Sequence, residues 1–265
     1  TAYEIYQCDW SSDVCSSDLS NILEMKKLYL EDVIEKYYLD GLVERVKINI
    51  DDKTLTTKFI SNQKNLVGSV TAPNMEVDDC EFGIYDTTQL LKLIGITDHF
   101  LTLEVAKQGK VANKLLIADN EYNLEYALAD IMLTPTVPVI DEPEYQMVAN
   151  VTEEFIAKFL KAAKALGTDV FTVEQSRDTD DQPAIKFTLG GTEGHTNKIN
   201  FTLQTTISAV PGHTIKFPIE EFSAVLAANK VLKSGTLSVN DEGLFKIEFD
   251  NEEGVKTQYL LVGKE

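Results

Sequence analysis

Thr152–Gly167, TEEFIAKFLKAAKALG, is the stretch from which the fold is read. Thr152 can accept from a free amide at a helix start, Glu153 and Glu154 fall in the first turn where the dipole favours carboxylates, and Gly167 supplies a left-handed stop. At about 100° per residue, Phe155, Ile156, Phe159, Leu160, Ala163 and Leu166 fall on one face. Lys158, Lys161 and Lys164 fall on the other, with only Ala157, Ala162 and Ala165 between them. The spacing predicts a capped amphipathic helix with a smooth, cationic outer face. Such a face is out of keeping with a chain of 265 residues and net charge −19, whose solvated helices should show more carboxylates than lysines. Two readings stay open on this stretch alone: an ordinary helix with lysines in water, and a surface that meets phosphates.

Just upstream lies MLTPTVPVIDEPEYQM, Met132–Met147, with three of the chain's seven prolines, Pro135, Pro138 and Pro143. Proline at this spacing predicts an extended connector over the surface. The chain shows the same pattern on both sides of it. Upstream, a helix is predicted from about Glu31 to Leu39, ending at Gly41. Strands follow at Val43–Ile50, Thr54–Ser61, Leu66–Ala72 and Cys80–Asp86, then a helix at Thr87–Gly95 and strands at Phe100–Ala106, Lys114–Asp119 and Tyr122–Ala129. Downstream of the lysine helix come strands at Asp169–Gln175, Pro183–Gly190, Lys198–Gln204 and His213–Pro218. A helix at Ile219–Ala228 then precedes strands at Thr236–Asp241, Leu244–Asp250 and Val255–Val262. YDTTQLLKLIG at Tyr85–Gly95 aligns with FPIEEFSAVLA at Phe217–Ala227. Each half is therefore read as an α+β unit with two helices covering antiparallel strands. Tandem units of one pattern suggest pseudo-symmetry, and such repeats tend to close into rings.

Residues 1–19 are set apart. DWSSDVCSSDL, Asp9–Leu19, and TAYEI, Thr1–Ile5, resemble the in-frame translation of a sequencing-library adapter, and the segment is expected to be a disordered read-through scar. It holds the only tryptophan, Trp10, two of the three cysteines, Cys8 and Cys15, and four acidic residues with no basic one. A disulfide or zinc site built on those cysteines falls away, and Cys80 alone makes no framework. The remaining length suits two ordinary domains. No nucleophile, base or metal constellation emerges. His99, His195 and His213 are scattered, and GGTEGH at Gly190–His195 lacks the following lysine and helix of a phosphate loop. Asp178, Asp180 and Asp181 read as a solvated hairpin loop. No catalysis, cofactor, metal or membrane association is expected.

EFGIYDTTQLLKLIG, the proline connector, TEEFIAKFLKAAKALG and VPGHTIKFPIEEF, in that order, resemble the DNA polymerase sliding clamps of large tailed bacteriophages, which share the fold of proliferating cell nuclear antigen. The resemblance covers roughly Cys80 to Val262 well and the earlier part by pattern. It implies two tandem clamp domains, 20–131 and 148–265, joined by the connector at 132–147, with antiparallel sheets outside and helices lining the inner face of a ring. It implies a homotrimer of six domains that encircles duplex DNA without sequence preference, tethers the replicative DNA polymerase, is opened by a clamp-loader ATPase, and works in the cytoplasm of the host bacterium. Carried over by position, Lys158, Lys161, Lys164, Lys230 and Lys233 face DNA, with Lys92 and Lys36 on the earlier helices. The first helix departs from the pattern, because Glu31, Asp32 and Glu35 offset Lys36. A partner groove is expected at Val137, Val139, Ile140 and Tyr145, with Leu260 and Leu261 beside it. A scaffold of the same fold that does not encircle DNA is the alternative. The lysines suit sliding, because a rotatable point charge attracts phosphates without reading bases.

Overall fold

In a computed structural model of the chain, the described residues are 25–109, 111–191, 197–205, 214–240 and 242–263. The expected scar, His195 and His213 lie outside them. The first half runs β1 (Met25–Lys26), α1 (Lys27–Tyr38), β2 (Val46–Asp51), β3 (Thr54–Ile60), β4 (Leu66–Ala72), β5 (Cys80–Ile84), α2 (Thr87–Gly95), β6 (Phe100–Gln108), β7 (Val111–Ala118) and β8 (Asn123–Ala127). The second runs β9 (Met147–Val151), α3 (Glu153–Leu166), β10 (Val170–Arg177), β11 (Pro183–Gly190), β12 (Lys198–Gln204), β13 (Ile215–Pro218), α4 (Ile219–Ala228), β14 (Ser234–Val239), β15 (Leu244–Asp250) and β16 (Lys256–Val262).

The two halves have one topology. The order β5-β2-β3-β4 in the first is repeated as β13-β10-β11-β12 in the second, and β1-β6-β7-β8 is repeated as β9-β14-β15-β16. All the pairings are antiparallel. The halves are joined where β4 pairs with β16, from Leu66↔Leu261 to Thr71↔Lys256, which makes one eight-stranded sheet. The counterparts of those two strands, β12 and β8, end their own four-stranded sheets.

Local chemistry sets the helix ends. The Thr152 hydroxyl accepts from the Phe155 amide at 3.2 Å, and Gly167 closes α3 at φ 60°. Asp86 caps α2 in the same way, accepting from Gln89 at 2.7 Å. In α3, Ala162 is buried and Ala163 only partly so, a reversal of the expected order, because Ile199 and Phe201 of β12 rise beside Ala162. Helix α1 starts at Lys27, about a turn earlier than expected, and the Lys27 ammonium donates to the Gly95 and Thr97 carbonyls at the end of α2 (2.8 and 2.9 Å). Leu39 and Asp40, both at positive φ, then turn the chain towards β2, which starts at Val46 and not Val43. Strand β9 lies outside the spans that the sequence pattern predicts. Met147, Ala149 and Val151 alternate inward there and pair on β14.

The helices pack in the order α2, α1, α4, α3, with α1 on β4 and α4 on β16. Under α3 and α4 the core is phenylalanine: Phe159 meets Phe222 edge-on at 4.6 Å and Phe171 at 5.2 Å, and Phe187 stacks on Phe201 at 5.4 Å. Such pairs add about 0.5–1.5 kcal/mol each beyond their buried area. Under α1 and α2 the core is mainly aliphatic, with Val33, Ile34, Ile48, Ile50, Leu90 and Ile94 fully covered. On the far side of the eight-stranded sheet, alternate residues such as Val67, Ser69 and Gln258 stay partly open, and the connector crosses them.

Candidate nucleic-acid and partner interfaces

The expected DNA-facing lysines divide into three groups. Lys92, Lys161, Lys164, Lys230 and Lys233 are exposed on or just beyond helices α2, α3 and α4. Lys158 is exposed too, but its ammonium meets Glu154 one turn earlier at 2.6 Å, and Lys158 holds the Glu154 carboxyl below the usual range. The outer face of α3 is therefore less uniformly cationic at its start than the periodicity implied. Lys158 and Lys161 also border an apolar pit with Ala162, Ala165, Ile199 and Phe201.

Lys36 is the clear correction. It is 2% exposed, pairs with Asp32 at 2.5 Å and donates to the Ala228 carbonyl of α4 at 3.3 Å, so it pins α1 to α4 and cannot reach a phosphate. The cause is long-range: α4 closes over a lysine that local periodicity places in solvent. The same seam holds a buried polar network. The Tyr259 hydroxyl donates to the Lys36 carbonyl at 2.8 Å and accepts from the Asn229 amide at 3.0 Å, and Thr257 donates to Asn229 at 3.2 Å. Burial drives the Tyr259 phenol far above its usual pKa, so it stays a neutral donor. Glu31 and Glu35 leave the surface of α1 acidic.

The connector lies across the outside of β3, β4 and β16. Val137, Val139 and Ile140 line a groove with Lys58, Val67, Ser69, Gln258 and Leu260, which brings together four of the six residues expected there. Val139 is 91% exposed and offers an apolar contact to solvent. A second groove on the same face runs past Lys47, Thr56, Met132 and Pro135. Two of the expected residues lie elsewhere. Leu261 points to the opposite face of β16 from Leu260 and is 0% exposed in the core, because neighbours on a strand alternate. Tyr145 is half-buried under the Lys246 ammonium, 5.3 Å from its ring centre.

One residue that holds the connector has no local sequence signal. The Glu142 carboxylate accepts from Lys246 at 2.8 Å and from Gln258 at 2.6 Å, which fastens the connector to β15 and β16. The Lys246 contact holds the Glu142 carboxyl below its ordinary range. Asp178, in the acidic run, caps its own hairpin turn, accepting from the Asp180 and Gln182 amides at 2.9 and 2.8 Å. Among the described residues, no group of three His, Cys, Asp or Glu side chains is placed to hold a metal ion. No described helix is long and apolar enough to cross a membrane.

Neither a protein-family model nor a curated protein sequence matches the chain. Among solved structures it is similar to the crystal structure of proliferating cellular nuclear antigen from Entamoeba histolytica. The TM-score is 0.72 and the sequence identity 18%, over 91% of this chain and 98% of that one. The chain thus has the fold of proliferating cellular nuclear antigen, with helices and antiparallel sheets in two tandem units of one topology.

Proposed function

We propose that this chain is the subunit of a closed ring that encircles duplex DNA and tethers a replicative polymerase, with no chemistry of its own. The observation that carries the reading is the repeated topology. One copy of an edge pair, β4 with β16, is joined inside the chain, and among the described strands the counterparts β12 and β8 each end a sheet, with no strand paired on the outer side. Head-to-tail pairing of β12 on one copy with β8 on the next repeats the internal joint, and repetition of one joint closes a ring. Two halves per chain and the six-domain ring implied by the resemblance give a homotrimer.

Exposed Lys92, Lys161, Lys164, Lys230 and Lys233 supply phosphate attraction from the helical side, while the acidic remainder of the surface repels DNA. The groove under Val137, Val139 and Ile140 takes an apolar peptide of the polymerase or of a clamp-loader ATPase. The tailed-bacteriophage origin, and with it the host cytoplasm, rests on the sequence resemblance. The scaffold reading draws on acidic Glu31 and Glu35 and on the buried Lys36, which leave α1 without free positive charge. The two readings separate in primer extension on circular DNA with the cognate polymerase and loader. Lys164→Glu, Lys230→Glu and Lys233→Glu together should abolish stimulation while the protein stays folded and assembled. Undiminished stimulation would reject the DNA-facing assignment.

A further inference from the structure

The seam inside one chain is a template for the seam between two copies, and the following rests on the ring reading above. At the internal seam β4 meets β16 and α1 packs against α4. Moved by one half, the same joint sets β12 of one copy against β8 of the next, and α3 against α2. Residue correspondences follow from the buried positions. Leu90, Ile94 and Thr97 at α2 hold the places of Phe222, Leu226 and Asn229 at α4, which puts Ile96 where α4 has Ala228. Tyr29, Leu30 and Val33 of α1 hold the places of Phe155, Ile156 and Phe159 of α3, which puts Ala162 where α1 has Lys36, and Lys158 where it has Asp32.

Within the chain the Lys36 ammonium reaches the main-chain carbonyl of Ala228, so this position of α1 lies beside the end of α4 across the seam. A lysine stem beside the end of one helix becomes, between copies, the small Ala162 beside the end of the other, where Ile96 stands. The sizes complement each other. Ile96 is 52% exposed, an isoleucine the chain leaves in solvent, and Ala162 lies in the apolar pit between α3 and β12.

The charges complement each other as well. At the internal seam Asp32 accepts from Asn251, whose Oδ1 caps the turn before β16 by accepting from the Glu253 and Val255 amides. The turn before β8 is capped alike by Asp119, which accepts from Glu121 and Tyr122 at 2.8 and 2.6 Å and from Asp98 at 2.7 Å. These amides, Tyr122 first, hold the Asp119 carboxyl below its usual range. Between copies the aspartate on the helix is replaced by Lys158 and the asparagine on the turn by Asp119, with Glu121 adjacent. The β7–β8 turn is shorter than its counterpart, and the longer lysine stem spans the difference.

We infer that the pit between α3 and β12 is the socket for Ile96 of a second copy of this chain, with Lys158 leaving Glu154 to pair with that copy's acidic turn at Asp119 and Glu121. Lys158 is then a seam residue rather than a DNA contact, and ring closure weakens with salt.

The test uses the full chain with Cys8→Ser, Cys15→Ser and Cys80→Ser, carrying Ile96→Cys and Ala162→Cys, with light scattering before mild oxidation. Covalent species up to the size of the assembly, absent from either single-cysteine chain, are expected on non-reducing gels. An assembled protein that forms no cross-link specific to the cysteine pair overturns the socket and leaves the ring standing, whereas a protein monomeric at every concentration overturns both. In the native background Lys158→Glu should weaken association roughly tenfold at low salt, and Glu121→Lys in the same chain should recover part of the loss. Association unchanged by Lys158→Glu overturns the ion pair.

Discussion

Gly68 on β4 lies directly opposite Phe59 on β3, so close that a Cβ added to Gly68 would come within 2.3 Å of the Phe59 ring. On its other side Gly68 pairs with Tyr259 of β16, whose ring meets Phe59 edge-on at 6.1 Å. The absent side chain lets two aromatic rings close over the strand that joins the halves. Gly68→Ala is expected to destabilise the fold by about 1–3 kcal/mol through overpacking. Urea unfolding checks it, and an unchanged midpoint would mean that Phe59 moves aside freely.

Tyr259 should also matter through its hydroxyl. Tyr259→Phe keeps the ring but leaves the Lys36 carbonyl and the Asn229 amide short of a buried partner. A loss of about 1–3 kcal/mol is expected. Because Lys36 belongs to the first half and Asn229 to the second, the variant should loosen the joint between them, read as faster hydrogen exchange at the ends of both α1 and α4.

The connector should respond to acid. Glu142 has a folded-state pKa below that of free glutamate, so its contribution is complete above the ordinary glutamate range and is lost as pH falls through the depressed value. Exchange of the amides in residues 134–146, corrected for intrinsic rates, should rise below about pH 4.5. Glu142→Gln should show the raised exchange already at pH 7 while costing the global fold under about 1 kcal/mol, since the pair is partly solvated. A pH-independent profile would remove Glu142 from the role of fastener.

DNA retention should depend on the charge of α3 and of the segment after α4. Lys161→Ala with Lys164→Ala is expected to reduce the salt dependence of duplex binding without changing the fold, because each lysine that meets a phosphate releases about one counterion. Binding titrations at several salt concentrations read the slope directly.

Much of this architecture is legible in the chain. The spans of β4, α2, β11, β12, α4 and β15 match their expected bounds, and Thr152 and Gly167 end α3 as their chemistry requires. Strand β9 is hidden because its alternating Met147, Ala149 and Val151 follow a proline- and glutamate-rich connector. The burial of Lys36 is invisible locally, since the helix that covers it lies far along the chain. The β4–β16 pairing leaves no local trace either, and neither does the choice of Glu142 over nearby acidic residues. In the groove, the connector's apolar residues could be picked out from composition, but Leu261 could not be told from Leu260 without the strand's phase.

The central claim is the closed ring, and the most direct measurement is the solution mass of the full chain by light scattering over a concentration series at low salt. The account predicts a species of three times the chain mass that does not grow further. A mass that stays at one chain throughout, or one that climbs without limit as open head-to-tail polymers do, would contradict it.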